Sequence, residues 1–223
     1  MKYRHEVKCE ISESDFYVLR QRLRAVMHPD PYARDGVYKI RSLYFDTLED
    51  KALREKLDGV AIREKWRIRY YNTDTSVIKL ERKLKDNSLG NKQSTRLTRE
   101  QAEKIVSGDI DWMAKSEDGI ILVFYSRLKG EGLRPRTIVD YTREPFVFSA
   151  GNVRVTLDYG IRTGLGGTDF LSPDCPTVPI SPSPIIMEVK WDEFLPDIIR
   201  DVVQLDSRRS GAFSKYASSR MYD

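Results

Sequence analysis

The sequence predicts an α+β domain built from antiparallel strands with helices set between them. Three observations lead there. Extended segments alternate charged with apolar residues, most plainly Arg63, Lys65, Arg67 and Arg69 around Trp66, Ile68 and Tyr70. Neighbouring extended segments are joined by short polar turns, such as the one at Asn72, Thr73 and Asp74, which pairs them antiparallel. Amphipathic stretches opened by capping residues fall between the strands without a regular β–α alternation.

A first strand is expected from Tyr3 to Ile11. Ser12 reads as a helix N-cap with Asp15 reaching back to it, and Phe16, Leu19, Leu23 and Val26 follow at helical spacing. Pro29 and Pro31 stop that helix, because proline lacks the donor a continuing turn needs. A strand from Tyr38 to Asp46 comes next, then a short helix opened by Thr47 and Asp50 that ends near Gly59. Two long strands, Ala61 to Tyr71 and Ser76 to Lys85, form a hairpin, and Asn87 to Ser94 reads as a polar loop. Thr98 and Gln101 cap a helix running toward Val106, and Asp118 to Leu128 forms another, closed by Gly130. Strands resume at Arg134 to Arg143, Phe146 to Ser149, Val153 to Tyr159 and Ile185 to Trp191. The stretch from Gly160 to Pro184, rich in Gly, Pro and Ser, reads as an ordered loop or lid. Asp197 to Leu205 is the last expected helix, and the chain from Ser207 onward reads as a short polar tail.

Over 223 residues no composition shift marks a boundary, so a single domain spanning 1–223 is expected. A hydrophobic fraction of 40% suffices for a packed core and argues against extended disorder. The charges nearly cancel, 38 basic against 34 acidic, so their arrangement matters more than their sum. Cys9 and Cys175 match no zinc spacing and fit a reducing, intracellular setting. No run approaches the roughly 18 apolar residues of a membrane span, and the N-terminus carries no secretory apolar region. A soluble, cytoplasmic protein without a transmembrane segment of its own is therefore expected. The histidines are His5 and His28 alone, no nucleophilic triad is legible, and no P-loop or dinucleotide fingerprint appears.

The charged faces carry the functional reading. Lys79, Glu81, Lys83 and Lys85 repeat the alternation of the Arg63 row. Arg154 shares a face with Thr156 and Asp158, Tyr141 with Arg143, and Glu188 with Lys190 beside the apolar Met187, Val189 and Trp191. A single such row reads equally well as a solvated face. Several rows of like charge repel one another, and a bound polyanion removes that repulsion. Arginine suits phosphate because its planar fork gives two parallel hydrogen bonds. The glutamates among the bases, Glu6, Glu81 and Glu188, either pair with arginine or hold a hard divalent cation. Two architectures satisfy polar strand faces: a sheet packed on one side only, or a closed barrel that turns them inward under an apolar, helix-covered exterior. Periodicity does not choose between them. Trp66 and Tyr70 fall opposite the charge, which speaks against nucleic acid, whose binding wants bases and aromatics on one surface.

Eight segments recur as a set: YRHEVKCEI from Tyr3, IRSLYFDT from Ile40, REKWRIRYY from Arg63, VIKLERKLK from Val77, RPRTIVDYTREPF from Arg134, NVRVTLDYG from Asn152, IIMEVKW from Ile185 and SKY from Ser214. In this set and succession the chain resembles the VTC domain, the polyphosphate polymerase branch of the triphosphate tunnel (CYTH-like) metalloenzymes. The resemblance implies an eight-stranded antiparallel β-barrel, the triphosphate tunnel, with helices packed on the outside. It implies ATP, triphosphate or polyphosphate as ligand and Mn2+ or Mg2+ as cofactor. It also implies transfer of the γ-phosphoryl group of ATP onto a polyphosphate chain with release of ADP. Relatives hydrolyse triphosphate instead, so a metal-dependent triphosphatase is an alternative, and a non-catalytic polyphosphate-binding module is another.

Carried over by motif, Arg67, Arg69, Arg143 and Arg154 would bind substrate phosphates. Lys8 and Lys215 would contact the chain or the transferring phosphate, and Lys190 would add to the same lining. Arg41, Lys65 and Lys83 are expected as further phosphate-binding wall residues. Glu188 would hold the metal, and Glu6 and Glu81 would orient bases or assist the ion. One departure matters. The wider family opens with a Glu-x-Glu-x-Lys strand, and here Arg4 takes the first glutamate's place ahead of Glu6 and Lys8. That removes one metal ligand and suits a basic, polymer-binding tunnel better than two-metal hydrolysis. Bacterial relatives are commonly encoded near a membrane protein, so the expectation includes docking at the inner face of the membrane through such a partner.

Overall fold

The structure, a computed structural model, describes residues 4–87, 89–205, 211 and 213–222. Its elements follow the chain as β1 (His5–Ile11), α1 (Glu13–Val26), β2 (His28–Pro29), β3 (Tyr38–Asp46), α2 (Lys51–Leu57), β4 (Ile62–Tyr71), β5 (Asp74–Asp86) and β6 (Leu89–Leu97). Then come α3 (Arg99–Ser107), α4 (Gly119–Gly130), β7 (Arg134–Phe148), β8 (Val153–Thr163), β9 (Val178–Pro179), β10 (Ile185–Trp191), α5 (Asp197–Val203) and α6 (Lys215–Ser219). Tyr3, the expected start of the first strand, lies outside the described residues, as does the start of the expected polar tail.

The local signals work as chemistry. Ser12 Oγ accepts from Asp15 N at 3.2 Å and Asp15 accepts from Ser12 N at 3.1 Å, satisfying two donors that the first turn of α1 leaves over. Thr98 and Gln101 close the same box on α3. The β4–β5 turn is tight because Asn72 and Thr73 both adopt positive φ, 53° and 61°, whose twist matches that of the flanking strands.

Four differences from the sequence reading have physical reasons. The expected loop from Asn87 to Ser94 is largely strand β6, paired with β5 from Leu89 to Leu97. Its interior lacks apolar alternation because it ends the sheet path, and the ladder rather than burial holds it. β7 runs unbroken through Pro145, where a gap between two strands is expected, because Glu144, Pro145 and Phe146 all keep their places opposite β8. β8 continues past Tyr159 into the expected lid segment through an irregularity opposite Asp140–Thr142, with Gly160 at φ 60° supplying the bend. The tail holds the five-residue helix α6, too short to show a period.

The long strands pair antiparallel along the path β1–β10–β8–β7–β3–β4–β5–β6, with β2 added to β7 and β9 to β8. This is the expected eight-stranded antiparallel tunnel architecture. The sheet curls so far that its ends approach: Lys83 of β5 lies 3.5 Å from Glu6 of β1. Among the described residues no ladder joins β1 to β6, so side chains hold that seam.

Helices cover the convex face. Phe45, Trp66, Ile68 and Leu80 pack against Ile105 of α3 and Ile121 and Phe124 of α4, with Trp66 stacked on Phe124 at 4.8 Å. On the other half, Phe16, Leu19 and Leu23 of α1 and Ile199 of α5 cover Phe146, Val155, Leu157, Met187 and Val189. A smaller apolar cluster lies inside the curl, where Ile40, Tyr44, Val139, Tyr141 and Ile186 receive Tyr216 of α6.

Candidate functional site

Strand register decides which side chains share the concave face. Opposed residues in an antiparallel ladder point the same way. Glu6 and Lys8 face Lys190 and Glu188, which face Arg154 and Thr156. Asp158 faces Arg143, and Tyr38 follows it on β3. Ser42 and Tyr44 face Arg69 and Arg67, which face Lys79 and Glu81, and Lys65 faces Lys83. The row ends on β6 with Lys92, Ser94 and Arg96. The middle of the face is enclosed, since Arg69, Glu81, Asp158 and Glu188 are 3%, 2%, 0% and 5% exposed, while Glu6, Lys83, Lys92, Ser94 and Arg96 near the seam stay exposed. That burial at the centre fits a sheet curled into a barrel shape, though not closed by a ladder among the described residues, rather than one packed on one side only.

Three carboxylates organise the bases. Glu81 accepts from Arg67 Nε at 2.8 Å and pairs with Lys92 at 2.5 Å and Arg69 at 3.7 Å. Asp158 pairs with Arg143 at 2.6 Å and with Lys215 of α6 at 2.5 Å. Glu188 pairs with Lys8 at 3.1 Å, Lys190 at 3.2 Å and Arg143 at 3.4 Å. Burial alone would raise each carboxyl, but the bases outweigh it. Asp158 falls to about 2 against Arg143 and Lys215, Glu81 falls against Arg67, Arg69 and Lys92, and Glu188 falls well below the carboxylate range against Lys190, Lys8 and Arg143.

Tyrosine phenols hold the arginines as well. Tyr44 accepts from Arg67 at 2.8 Å, and Tyr141 and Tyr71 accept from Arg69 at 3.1 and 3.4 Å. Burial would raise Tyr141, yet Arg69, Arg143 and Lys215 bring its phenol down to about 8. The lysines nearer the seam lack such compensation. Burial, with Lys56, Arg63 and Lys83 close by, lowers Lys65 to about 7. Burial and Lys8 lower Lys83 to about 8, only partly offset by Glu6 and Glu188. Lys65 donates to Ser214 Oγ at 3.0 Å, the N-cap of α6.

Of the residues singled out from sequence, Lys8, Lys65, Arg67, Arg69, Lys83, Arg143, Lys190 and Lys215 are brought together here with Glu6, Glu81 and Glu188. Arg154 shares the face but is tied to Asp30 at 2.9 Å. Arg41 is not brought there. It points to the convex side, where Asp140 takes its guanidinium at 2.8 Å and Ser172 O accepts from it at 2.7 Å. Its neighbours in sequence, Ile40 and Ser42, occupy the concave side, so strand alternation forbids Arg41 from joining them. Arg4 turns aside to Asp192 at 2.8 Å. Lys92, Ser94, Arg96 and the phenols of Tyr44 and Tyr71 escape the sequence reading. The period-two row Lys92, Ser94, Arg96 was the available signal for β6.

The expected metal trio is divided. Among the described residues no group of three or more His, Cys, Asp or Glu is placed to hold a metal ion. Glu81 stands apart on β5, engaged by its own three bases. Glu6 and Glu188 do lie together. Burial, and after it Glu188, would raise the Glu6 carboxyl, but Lys8, Lys83 and Lys190 outweigh them and hold it below its ordinary value. Two carboxylates fit a cation that completes its shell with water and substrate phosphates.

The VTC domain profile matches residues 3–222. The chain belongs to the VTC domain family. Solved structures share this VTC domain's fold. One is a candidate adenylate cyclase from Bacillus halodurans, with TM-score 0.53 and 13% identity over 85% of this chain and 80% of that one. Another is a candidate adenylyl cyclase from Hippeastrum, described as having a dominant triphosphatase activity, with TM-score 0.57 and 13% identity over 98% of this chain and 95% of that one. At such identity the likeness shows the fold alone, that of the triphosphate tunnel proteins. A comparison with curated proteins finds no match. No helix among the described residues is long and apolar enough to cross a membrane.

Proposed function

We propose that this VTC domain, as a single tunnel domain, moves the γ-phosphoryl group of ATP onto a polyphosphate chain held along its concave face. The observation that supports this most is convergence: Lys8, Arg67, Arg69, Arg143, Lys190 and Lys215 come from separate strands and from α6 onto one enclosed surface. Arg67 and Arg69 would grip phosphates through their forks, held in line by Glu81 and by the phenols of Tyr44 and Tyr141. Arg143 and Lys215 would meet the transferring group. A terminal oxygen of the chain attacks the γ-phosphorus, the bond to the β–γ bridging oxygen breaks, and ADP leaves with that electron pair. Little covalent work falls to the protein, which positions the reactants and stabilises charge on the equatorial oxygens. A divalent cation, manganese or magnesium, held by Glu188 and Glu6 would help to neutralise that charge. The same reading keeps the protein in the cytoplasm, with a bacterial membrane protein as partner.

A triphosphatase is the second reading, favoured by the described activity of the Hippeastrum neighbour. Incubation with ATP and Mn2+ separates the two. ADP and lengthening chains support the polymerase. Free phosphate without chain growth replaces it with the triphosphatase, and salt-dependent binding without any product leaves a polyphosphate-binding module.

A further inference from the structure

Thr156 lies on β8 between Arg154 and Asp158 on the concave face, opposite Glu188 of β10 and Pro145 of β7. It is 3% exposed, and its Oγ1 has no hydrogen-bond partner among the described residues. Buried polar groups are nearly always paired, because an unpaired one keeps the cost of leaving water. Nothing about the strand requires a hydroxyl here. Val153 and Val155 occupy neighbouring buried positions, and valine has the same branched shape without that cost.

The surroundings account for the missing partner. Glu188, the acceptor across the ladder, turns Oε1 to Lys8 and Lys190 and Oε2 to Arg143. Asp158 gives Oδ1 to Arg143 and Oδ2 to Arg143 and Lys215. Pro145 has no polar side chain. All four carboxylate oxygens of Glu188 and Asp158 are engaged by Lys8, Lys190, Arg143 and Lys215, bases that outnumber these two acids. Among the described residues the hydroxyl hydrogen has no acceptor, and an anionic oxygen would supply one.

We propose that Thr156 Oγ1 is a phosphoryl-oxygen ligand, donating its hydrogen bond to the anion held by Lys8, Lys190 and Arg143. The inference rests on the phosphate-binding reading of the concave face and adds to it a neutral donor that fixes the orientation of one phosphoryl group. Charge alone grips a phosphate from many directions, whereas a hydroxyl on a rigid strand accepts one.

Calorimetric titration of the whole protein with inorganic tripolyphosphate, first metal-free and then with Mn2+, tests it. Thr156→Val should weaken metal-free binding about tenfold, the loss of one hydrogen bond to a charged acceptor. Its melting temperature without ligand should be unchanged or higher, since the unpaired hydroxyl is gone. Thr156→Ser should bind like the parent. If the valine variant does not fold, Thr156→Ala repeats the comparison against Thr156→Ser. Parent-like binding by the hydroxyl-free variant overturns the inference alone. So does a defect seen only with Mn2+, which would make Thr156 a metal ligand, or equal losses of affinity and melting temperature in both the serine and hydroxyl-free variants, which would make it structural. If the parent itself does not bind tripolyphosphate, the phosphate reading fails and this inference with it.

Discussion

Arg143 and Asp158 face each other across the β7–β8 ladder and close a two-point ion pair, Nε to Oδ1 at 2.6 Å and Nη2 to Oδ2 at 2.8 Å. Lys215 reaches the same carboxylate, so one buried acid ties the sheet to α6. Removing it strands two cations in a water-poor space. Asp158→Ala should lower unfolding stability by about 3–5 kcal/mol, the usual penalty for breaking a buried pair, measured by urea denaturation at pH 7. The Asp158 carboxyl is held at about 2 in the fold, against roughly 3.9 in an unfolded chain. Below that upper value the unfolded chain binds a proton that the native state does not. Its contribution is thus full above about pH 4 and fades as pH falls toward 2. The parent should lose more stability across that window than the variant.

Lys65, held at about 7, is largely neutral at pH 8, and Lys83, whose side chain is 47% exposed, is lowered in the same direction with more help from water. An incoming polyanion favours their charged forms. Tripolyphosphate binding at pH 8 should therefore take up protons, read by titrating in buffers of different ionisation enthalpy. The uptake should shrink in Lys65→Met and Lys83→Met. In the absence of ligand the unfolded chain holds more protons on these lysines between pH 7 and 10, so their contribution to stability rises with pH across that window.

Two arginines on neighbouring strands test the face assignment. Arg69→Ala should weaken tripolyphosphate binding at least tenfold, as expected for losing charge-assisted hydrogen bonds. Arg41→Ala should leave affinity unchanged while costing roughly 2 kcal/mol of stability, because its bonds to Asp140 and Ser172 O fasten structure on the convex side. The opposite pattern in titration and melting curves would reverse the two faces.

Tyr216 is 1% exposed, stacks on Tyr44 at 5.0 Å and donates to Asp46 at 2.5 Å. Tyr216→Ala should destabilise by about 3–5 kcal/mol through the cavity it leaves. Because α6 also carries Lys215, the variant should lose phosphotransfer more completely than Tyr216→Phe, which keeps the ring. A rate assay with ATP at a temperature where both remain folded reads the difference.

Alternation made most of the fold legible. β3 runs Tyr38–Asp46, the expected bounds, and α1, α3 and α4 begin where their caps stand. The concave face was legible wherever bases recur at period two between apolar residues. It was not legible on β6, where both faces are polar, nor at α6, whose five residues are placed by Tyr216 finding a pocket inside the curl. Arg41 falls on the convex side against expectation because motif proximity says nothing about strand phase. The division of Glu81 from Glu6 and Glu188 depends on how the sheet curls, and no local pattern encodes that.

Glu81, Asp158 and Glu188 mean that the hollow carries counter-ions of its own. Any anion entering the hollow would consequently have to displace three tethered carboxylates already paired with its bases. Chloride or acetate would bring only a single charge to that contest. A densely charged chain, gripping several bases at once, has the advantage, and the unladen protein is spared the self-repulsion that so many clustered cations would otherwise impose.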